Sequence, residues 1–283
     1  VKVLVTGATG FIGRYLVPEL LSRGARVVAS SRSAEEARKF SWYPQVQYVP
    51  FEISDASGFD LSCFGSPDVL VHLAWDELND FNSRAHLDTL LPAHLNFLGT
   101  MIRAGLSQCT VTGTCLEYGR TEGALRESRP PQPEVPYAIA KDQLRRSLNK
   151  LQQTSPFKLQ WIRLFYLYGY GQNPKSLLAQ LDQALANGAT EFDMSPGDQL
   201  RDYLPVERAA ELIARISLNG EFDGIVNCCS GRPISVQELV KERLAQLGQE
   251  IRLNLGAFPY PEYEAKSFWG DSTRLNEITE HIP

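Results

Sequence analysis

Nothing in the 283-residue sequence approaches the ~18 consecutive apolar residues that crossing a bilayer requires, so no membrane span is expected. Histidine is scarce, with four in all. The five cysteines, Cys63, Cys109, Cys115, Cys228 and Cys229, are odd in number and share no metal-ligand spacing with the histidines. No metal is therefore expected, and the thiols read as reduced, small buried groups. Clustered positive charge is also missing: 28 Lys and Arg stand against 33 Asp and Glu, for a formal net charge of −5. Nucleic-acid binding needs such clusters, so no nucleic-acid partner is expected, and an anionic small molecule would have to meet local positive charge. Internal repeats and low-complexity tracts are absent, and the one proline-rich stretch, residues 129–136, reads as a stiff loop delivering Tyr137 to a helix. The apolar run that opens the chain starts at Val1 and reads as a strand rather than a secretory signal, which predicts a cytoplasmic protein.

What is present is an ordinary globular composition, 43% hydrophobic and 22% charged, at a length that suits one large α/β domain or a large domain with a small one. Short apolar runs at residues 1–5, 26–29, 47–51, 69–73, 110–112 and 159–164 read as strands. Amphipathic segments at 14–23, 34–39, 83–105 and 137–153 read as the helices between them, with Pro92 a candidate interruption. Near-continuous apolar strands alternating with helices imply a parallel sheet buried on both faces, hence a doubly wound α/β fold. Beyond residue 165 the pattern loosens: helices at 176–187 and 207–218, a strand at 225–228, and a helix opening at Ser235 with Glu238 completing its cap. The expected organisation is a dinucleotide-binding Rossmann domain over 1–165 and a smaller C-terminal substrate-binding lobe over 166–283, with an approximate boundary that leaves room for segments of the two to interdigitate.

Two patterns carry chemistry. The first strand runs into Gly7-Ala8-Thr9-Gly10-Phe11-Ile12-Gly13 and then a helix. Such a turn lets backbone approach a pyrophosphate closely and aims helix N-terminal amides at its charge. The second is Tyr137-Ala138-Ile139-Ala140-Lys141, whose four-residue spacing puts a phenol and an ammonium on one helix face. A nearby ammonium favours phenolate, which suits proton exchange with a substrate oxygen.

Taken in order, these and further segments resemble the extended short-chain dehydrogenase/reductases, the NAD(P)-dependent sugar-nucleotide epimerases, dehydratases and reductases. The matching pieces are the glycine turn, Val71-His72-Leu73-Ala74, Asn96 to Thr100, Thr114 four residues before Tyr118-Gly119, Tyr137 with Lys141, Arg163 to Gly169, Arg201-Asp202-Tyr203 and Ser230 to Ser235. By that resemblance Thr114 hydrogen-bonds the substrate oxygen, Tyr137 is the general acid or base, and Lys141 holds the nicotinamide ribose and lowers the phenol's pKa. Gly7, Gly10, Phe11, Ile12 and Gly13 would wrap the pyrophosphate, with Leu73 and Ala74 bordering the coenzyme and Glu52 and Ile53 near its adenine. The resemblance also places Arg201 near the phosphates of a nucleotide-sugar substrate, and Lys175 is a further candidate contact for them. The same resemblance pairs the helices at 83–105 and 137–153 across a two-fold axis, so a homodimer is expected.

An acid that would bind the adenosine ribose of NAD is replaced by Ser31, followed by Arg32, which favours NADP(H) while leaving NAD(H) open. The family's dehydratases follow the active-site Thr with a carboxyl pair. Here Cys115 and Leu116 follow it, Cys115 reads as packing, and Glu117 is expected to turn away. The leading expectation is an NADPH-dependent reductase of a nucleotide-linked 4-keto-6-deoxyhexose. The alternatives are a 4-epimerase with tightly bound NAD and a non-catalytic NADP-binding regulator.

Overall fold

Seven of the apolar runs close into one parallel sheet. A computed structural model describes residues 1–55, 61–260 and 265–279. The first half runs β1 (Lys2–Thr6), α1 (Gly13–Ser22), β2 (Arg26–Ser31), α2 (Ala34–Ala37), β3 (Gln47–Pro50), β4 (Val69–His72), α3 (Leu91–Arg103), β5 (Gln108–Thr114), β6 (Gly123–Leu125) and α4 (Pro136–Gln152). The second continues with β7 (Lys158–Leu164), β8 (Tyr166–Tyr168), α5 (Leu177–Ala186), β9 (Glu191–Met194), β10 (Leu200–Pro205), α6 (Val206–Leu218), β11 (Gly224–Cys228), β12 (Pro233–Ser235), α7 (Val236–Leu247), β13 (Arg252–Leu255), β14 (Phe268–Gly270) and α8 (Thr273–Thr279). The central sheet has the order β11-β7-β5-β4-β1-β2-β3, every pairing parallel.

Strand alternation decides what each face holds. Val3 and Val5 of β1 pack with α1 and α6, through Leu16, Leu20, Ala209 and Ile213, while Leu4 packs with α3 and α4, through Phe97, Met101 and Leu144. The centre of the sheet is thus buried on both faces, as the apolar runs of β1 and β4 require. A third cluster, Leu178, Leu181, Phe192, Leu239 and Val240, joins α5 and α7 to the β9–β13 pair outside the main sheet. The chain does not divide cleanly at residue 165: β11 supplies an edge of the main sheet and α6 covers its face.

The expected helix over 83–105 is replaced by a π-type turn, His86–Leu90, leading into α3 at Leu91. Pro92 has no N–H to give, so it is accommodated in the first turn of α3, where amides lack intrahelical partners anyway. Expected strand 110–112 extends to Gln108–Thr114, and α2 stops at Ala37, short of Lys39. Among the described residues no helix is long and apolar enough to cross a membrane, and no group of three or more His, Cys, Asp or Glu side chains is arranged to hold a metal.

Candidate active site

The turn from β1 into α1 floors a cleft of about 570 Å³. Gly7 sits at φ +71°, and a Cβ there would meet Ala74 N at 2.9 Å, so the turn after β4 closes directly on the glycine loop. At Gly13 a Cβ would overlap the carbonyl oxygens of Gly7 and Ala8. Every residue assigned to the coenzyme by sequence, apart from Tyr137 and Lys141, lines this one cleft: the glycine turn with Phe11 and Ile12, then Ser31 and Arg32, Glu52 and Ile53, and Leu73 and Ala74. Its shape and backbone floor fit a dinucleotide. Ser31 Oγ is 2.8 Å from Tyr48 Oη, and Arg32, with a side chain 65% exposed, faces Asp76 at 3.2 Å and Glu52 at 3.8 Å.

Thr114, Tyr137 and Lys141 do not line that cleft, and they meet beside it. Thr114 ends β5, where its side chain also caps the following 3-10 turn by accepting from Leu116 N at 3.2 Å. Val135 is extended and Pro136 opens α4, so Tyr137 stands in the first turn, its N–H donating to Phe81 O at 3.0 Å. The Thr114 hydroxyl is near enough to the phenol to act on its ionisation, and the phenol ring stacks on Phe81 at 5.0 Å and 18°. Burial, reinforced by the Glu117 charge and by Cys115, raises the phenol's pKa against the lowering from Thr114. The sequence-based expectation was a lowered value; burial here shifts the phenol in the opposite direction.

One turn on, Lys141 is 2% exposed; its Nζ donates to Thr112 O at 2.9 Å and lies 4.0 Å from the Trp75 ring centroid. Burial lowers its pKa to about 7, with Glu117 opposing. Below about 7 the ammonium is charged in both folded and unfolded chains and its burial penalty is complete. Between about 7 and the ordinary value near 10.5 the unfolded chain binds the extra proton, so stability rises with pH across that window. Lys141→Met is expected to stabilise the fold at pH 6 by on the order of 4 kcal/mol, the equivalent of that pKa displacement, with the gain fading towards pH 10. Urea unfolding of both proteins at the two pH values checks it.

Glu117 lies in the 3-10 turn Cys115–Tyr118 rather than on an extended strand, so strand alternation does not set its direction, and it is the buried anchor of the site. Fully enclosed, its carboxylate accepts from Thr114 N at 3.0 Å, Trp161 Nε1 at 3.0 Å and Arg163 Nε at 2.8 Å. Thr114 and Glu117 form a reciprocal capping box, a Thr-x-x-Glu spacing that is legible in sequence. Gly113 is required beneath it, because a Cβ there would overlap both the Glu117 carboxylate and the Trp161 indole.

The two residues assigned to substrate phosphates lie apart from the cleft. Lys175 is exposed, its backbone N–H donating to Asn173 Oδ1 at 2.9 Å. Arg201 is buried; its Nη1 donates to Leu200 O and Lys266 O, both at 2.9 Å, and its guanidinium sits 4.5 Å from the Phe268 ring centroid. Sequence reasoning missed Trp75, Phe81 and a buried polar chain in which Thr6 Oγ1 is 2.8 Å from His72 Nδ1, and His72 Nε2 is 2.8 Å from His94 Nδ1. Burial, and then the Lys141 charge, lowers His94 to about 3 and keeps its ring neutral.

This architecture has well-characterised counterparts. The family model for the NAD dependent epimerase/dehydratase family matches residues 3–229. A dTDP-6-deoxy-L-talose 4-dehydrogenase (NAD(+)) from Aggregatibacter actinomycetemcomitans is 30% identical over 95% of this chain and 99% of its own length. A UDP-glucose 4-epimerase from Mycolicibacterium smegmatis is 28% identical over 98% of this chain and 92% of its own. Among solved structures, UDP-glucuronic acid 4-epimerase from Bacillus cereus, in complex with UDP-glucuronic acid and NAD, superposes with a TM-score of 0.86 at 19% identity, covering 100% of this chain and 94% of that one. By sequence over most of its length, and by fold over all of it, the chain belongs to the NAD dependent epimerase/dehydratase family.

Proposed function

We propose that this protein reduces the C4 ketone of a nucleotide-linked 4-keto-6-deoxyhexose. The observation that carries the reading is the meeting of Thr114, at the carboxyl end of β5, with the Tyr137 phenol in the first turn of α4 and Lys141 one turn further on. A bound reduced nicotinamide would supply the hydride. Tyr137 gives its proton to the carbonyl oxygen, Thr114 donates a hydrogen bond to the same oxygen, and Lys141 holds ribose hydroxyls. The sugar nucleotide lies between the end of β5 and the lobe beyond residue 166, with Lys175 as an exposed cation for its phosphates and Arg201 tying β10 to residues 266–268. Helices α3 and α4 form the face of a homodimer.

Two observations support reduction over dehydration. Thr114 is followed by Cys115 and Leu116 in place of a carboxyl pair, and Glu117 is spent on Arg163 and Trp161. The name of the A. actinomycetemcomitans relative puts oxidation at position 4 of a dTDP-linked 6-deoxyhexose, the same reaction in reverse. A second reading, 4-epimerisation with retained NAD, is favoured by the M. smegmatis relative. Tyr137 and Lys141 together speak against a non-catalytic regulator. Incubation with NADPH and a panel of 4-keto-6-deoxyhexoses on different nucleoside diphosphates separates the readings: one NADPH is consumed per product by a reductase, and none by an epimerase.

NADPH is the proposed coenzyme because Ser31 brings no charge against a 2′-phosphate and Arg32 brings one towards it. The exposed pairs of Arg32 with Asp76 and Glu52 contribute about 0–1 kcal/mol, so the guanidinium exchanges them readily for phosphate. Arg32→Glu is expected to lower kcat/KM for NADPH about tenfold or more while leaving NADH within about threefold. Equal losses with both coenzymes in steady-state assays would contradict the assignment.

A further inference from the structure

His94 is a buried titratable side chain on the cleft lining whose hydrogen-bonding capacity the proposed chemistry leaves unused. It is 3% exposed, yet its ring borders the cleft. Its Nδ1 is taken by His72, and Nε2 has no hydrogen-bond partner among the described residues. Nε2 is not one of the fully enclosed side-chain atoms left unpartnered, and His94 is part of the cleft lining. The ring is held on its face as well, stacked on Trp75 at 4.4 Å and 16°, and Trp75 is itself tied by Nε1 to His86 Nδ1 at 3.1 Å. We propose that His94 Nε2 binds an acceptor oxygen of the dinucleotide, through a proton whose position is fixed by the Thr6–His72–His94 chain. This rests on the reading of the cleft as a dinucleotide site.

The direction of the chain follows from proton counting. Each neutral imidazole carries one N–H. If the Thr6 hydroxyl donates to His72 Nδ1, then His72 Nε2–H donates to His94 Nδ1, and His94 ends the chain with an N–H facing the cleft. Run the other way, the chain ends on a bare lone pair at His94, and the hydroxyl proton of Thr6, 2% exposed, has no acceptor among the described residues. An anionic ligand over the glycine turn selects the first arrangement, because its phosphate oxygens need donors.

The test is calorimetric titration of NADPH, ADP-ribose and AMP into the wild-type protein and His94→Phe, which keeps a ring against Trp75. The expected result is binding about tenfold or more weaker for NADPH and ADP-ribose, with AMP, which lacks the pyrophosphate, unchanged. Unchanged ADP-ribose affinity overturns the proposal and leaves the dinucleotide site standing. Wild-type protein that binds none of the three overturns the site and the proposal with it. Should the variant fail to fold, nitrogen NMR of the histidine-labelled wild type decides. His94 is expected to carry its proton on Nε2 and to shift when ADP-ribose is added, and the opposite tautomer or an unmoved signal overturns the proposal.

Discussion

Tyr137→Phe is expected to lower kcat for ketone reduction by about 10²- to 10⁴-fold, the usual contribution of one positioned proton donor, while coenzyme affinity changes little. The argument rests on where the phenol is held. Its ring is packed by Phe81 at 5.0 Å, His86 at 5.3 Å and Trp75 at 6.2 Å, contacts that a phenyl ring keeps. Only the hydroxyl is lost, together with whatever it shares with Thr114 beside it. Because burial raises the phenol's pKa, the group keeps its proton through neutral pH. Reduction by the wild type should therefore be flat between about pH 6 and 8 in respect of this group, whereas the reverse oxidation, which needs the phenolate, should accelerate as pH rises. Steady-state rates in both directions, with coenzyme binding measured separately, check this. Full activity in the variant would remove Tyr137 from the chemistry.

Glu117→Ala is expected to cost about 3–5 kcal/mol of stability, the penalty for leaving a buried charge without its counter-ion. Arg163 and Glu117 are both fully enclosed and 2.8 Å apart, and the loss would also strip the acceptor from Trp161 Nε1 and Thr114 N. Activity should fall with stability, since the same carboxylate holds the backbone of Thr114 at the strand end. A double variant, Glu117→Met with Arg163→Met, should recover part of the loss, because no uncompensated charge remains. Urea midpoints of the three proteins make the comparison, and a Glu117→Ala protein within about 1 kcal/mol of wild type would show that the pair is dispensable.

The sheet was legible because burial on both faces leaves the interiors of β1 and β4 without polar interruption, and β7 still carries four apolar residues in seven. The glycine turn was legible because backbone crowding at Gly7 and Gly13 admits little else. The small strands β8, β9, β12, β13 and β14 were not: each has three or four residues and draws its pairing from distant partners, which no local period reveals. The break at His86–Leu90 was only half visible, since Pro92 marks the boundary but the turn before it depends on His86 meeting Trp75 and the Asp80 carbonyl. At the site, Tyr137 and Lys141 announced themselves by spacing. Their ionisation did not, because it follows from burial under Phe81 and Trp75, residues more than 50 positions away. His94 likewise reads as an ordinary helix residue until the fold brings it to His72.

The most direct measurement supplies a nucleotide-linked 4-keto-6-deoxyhexose with NADPH carrying deuterium on the transferable position, then locates the label in the recovered sugar. One deuterium at C4 for each NADPH consumed is the predicted result. A product without label at C4, or conversion that leaves the coenzyme unconsumed, would contradict the account.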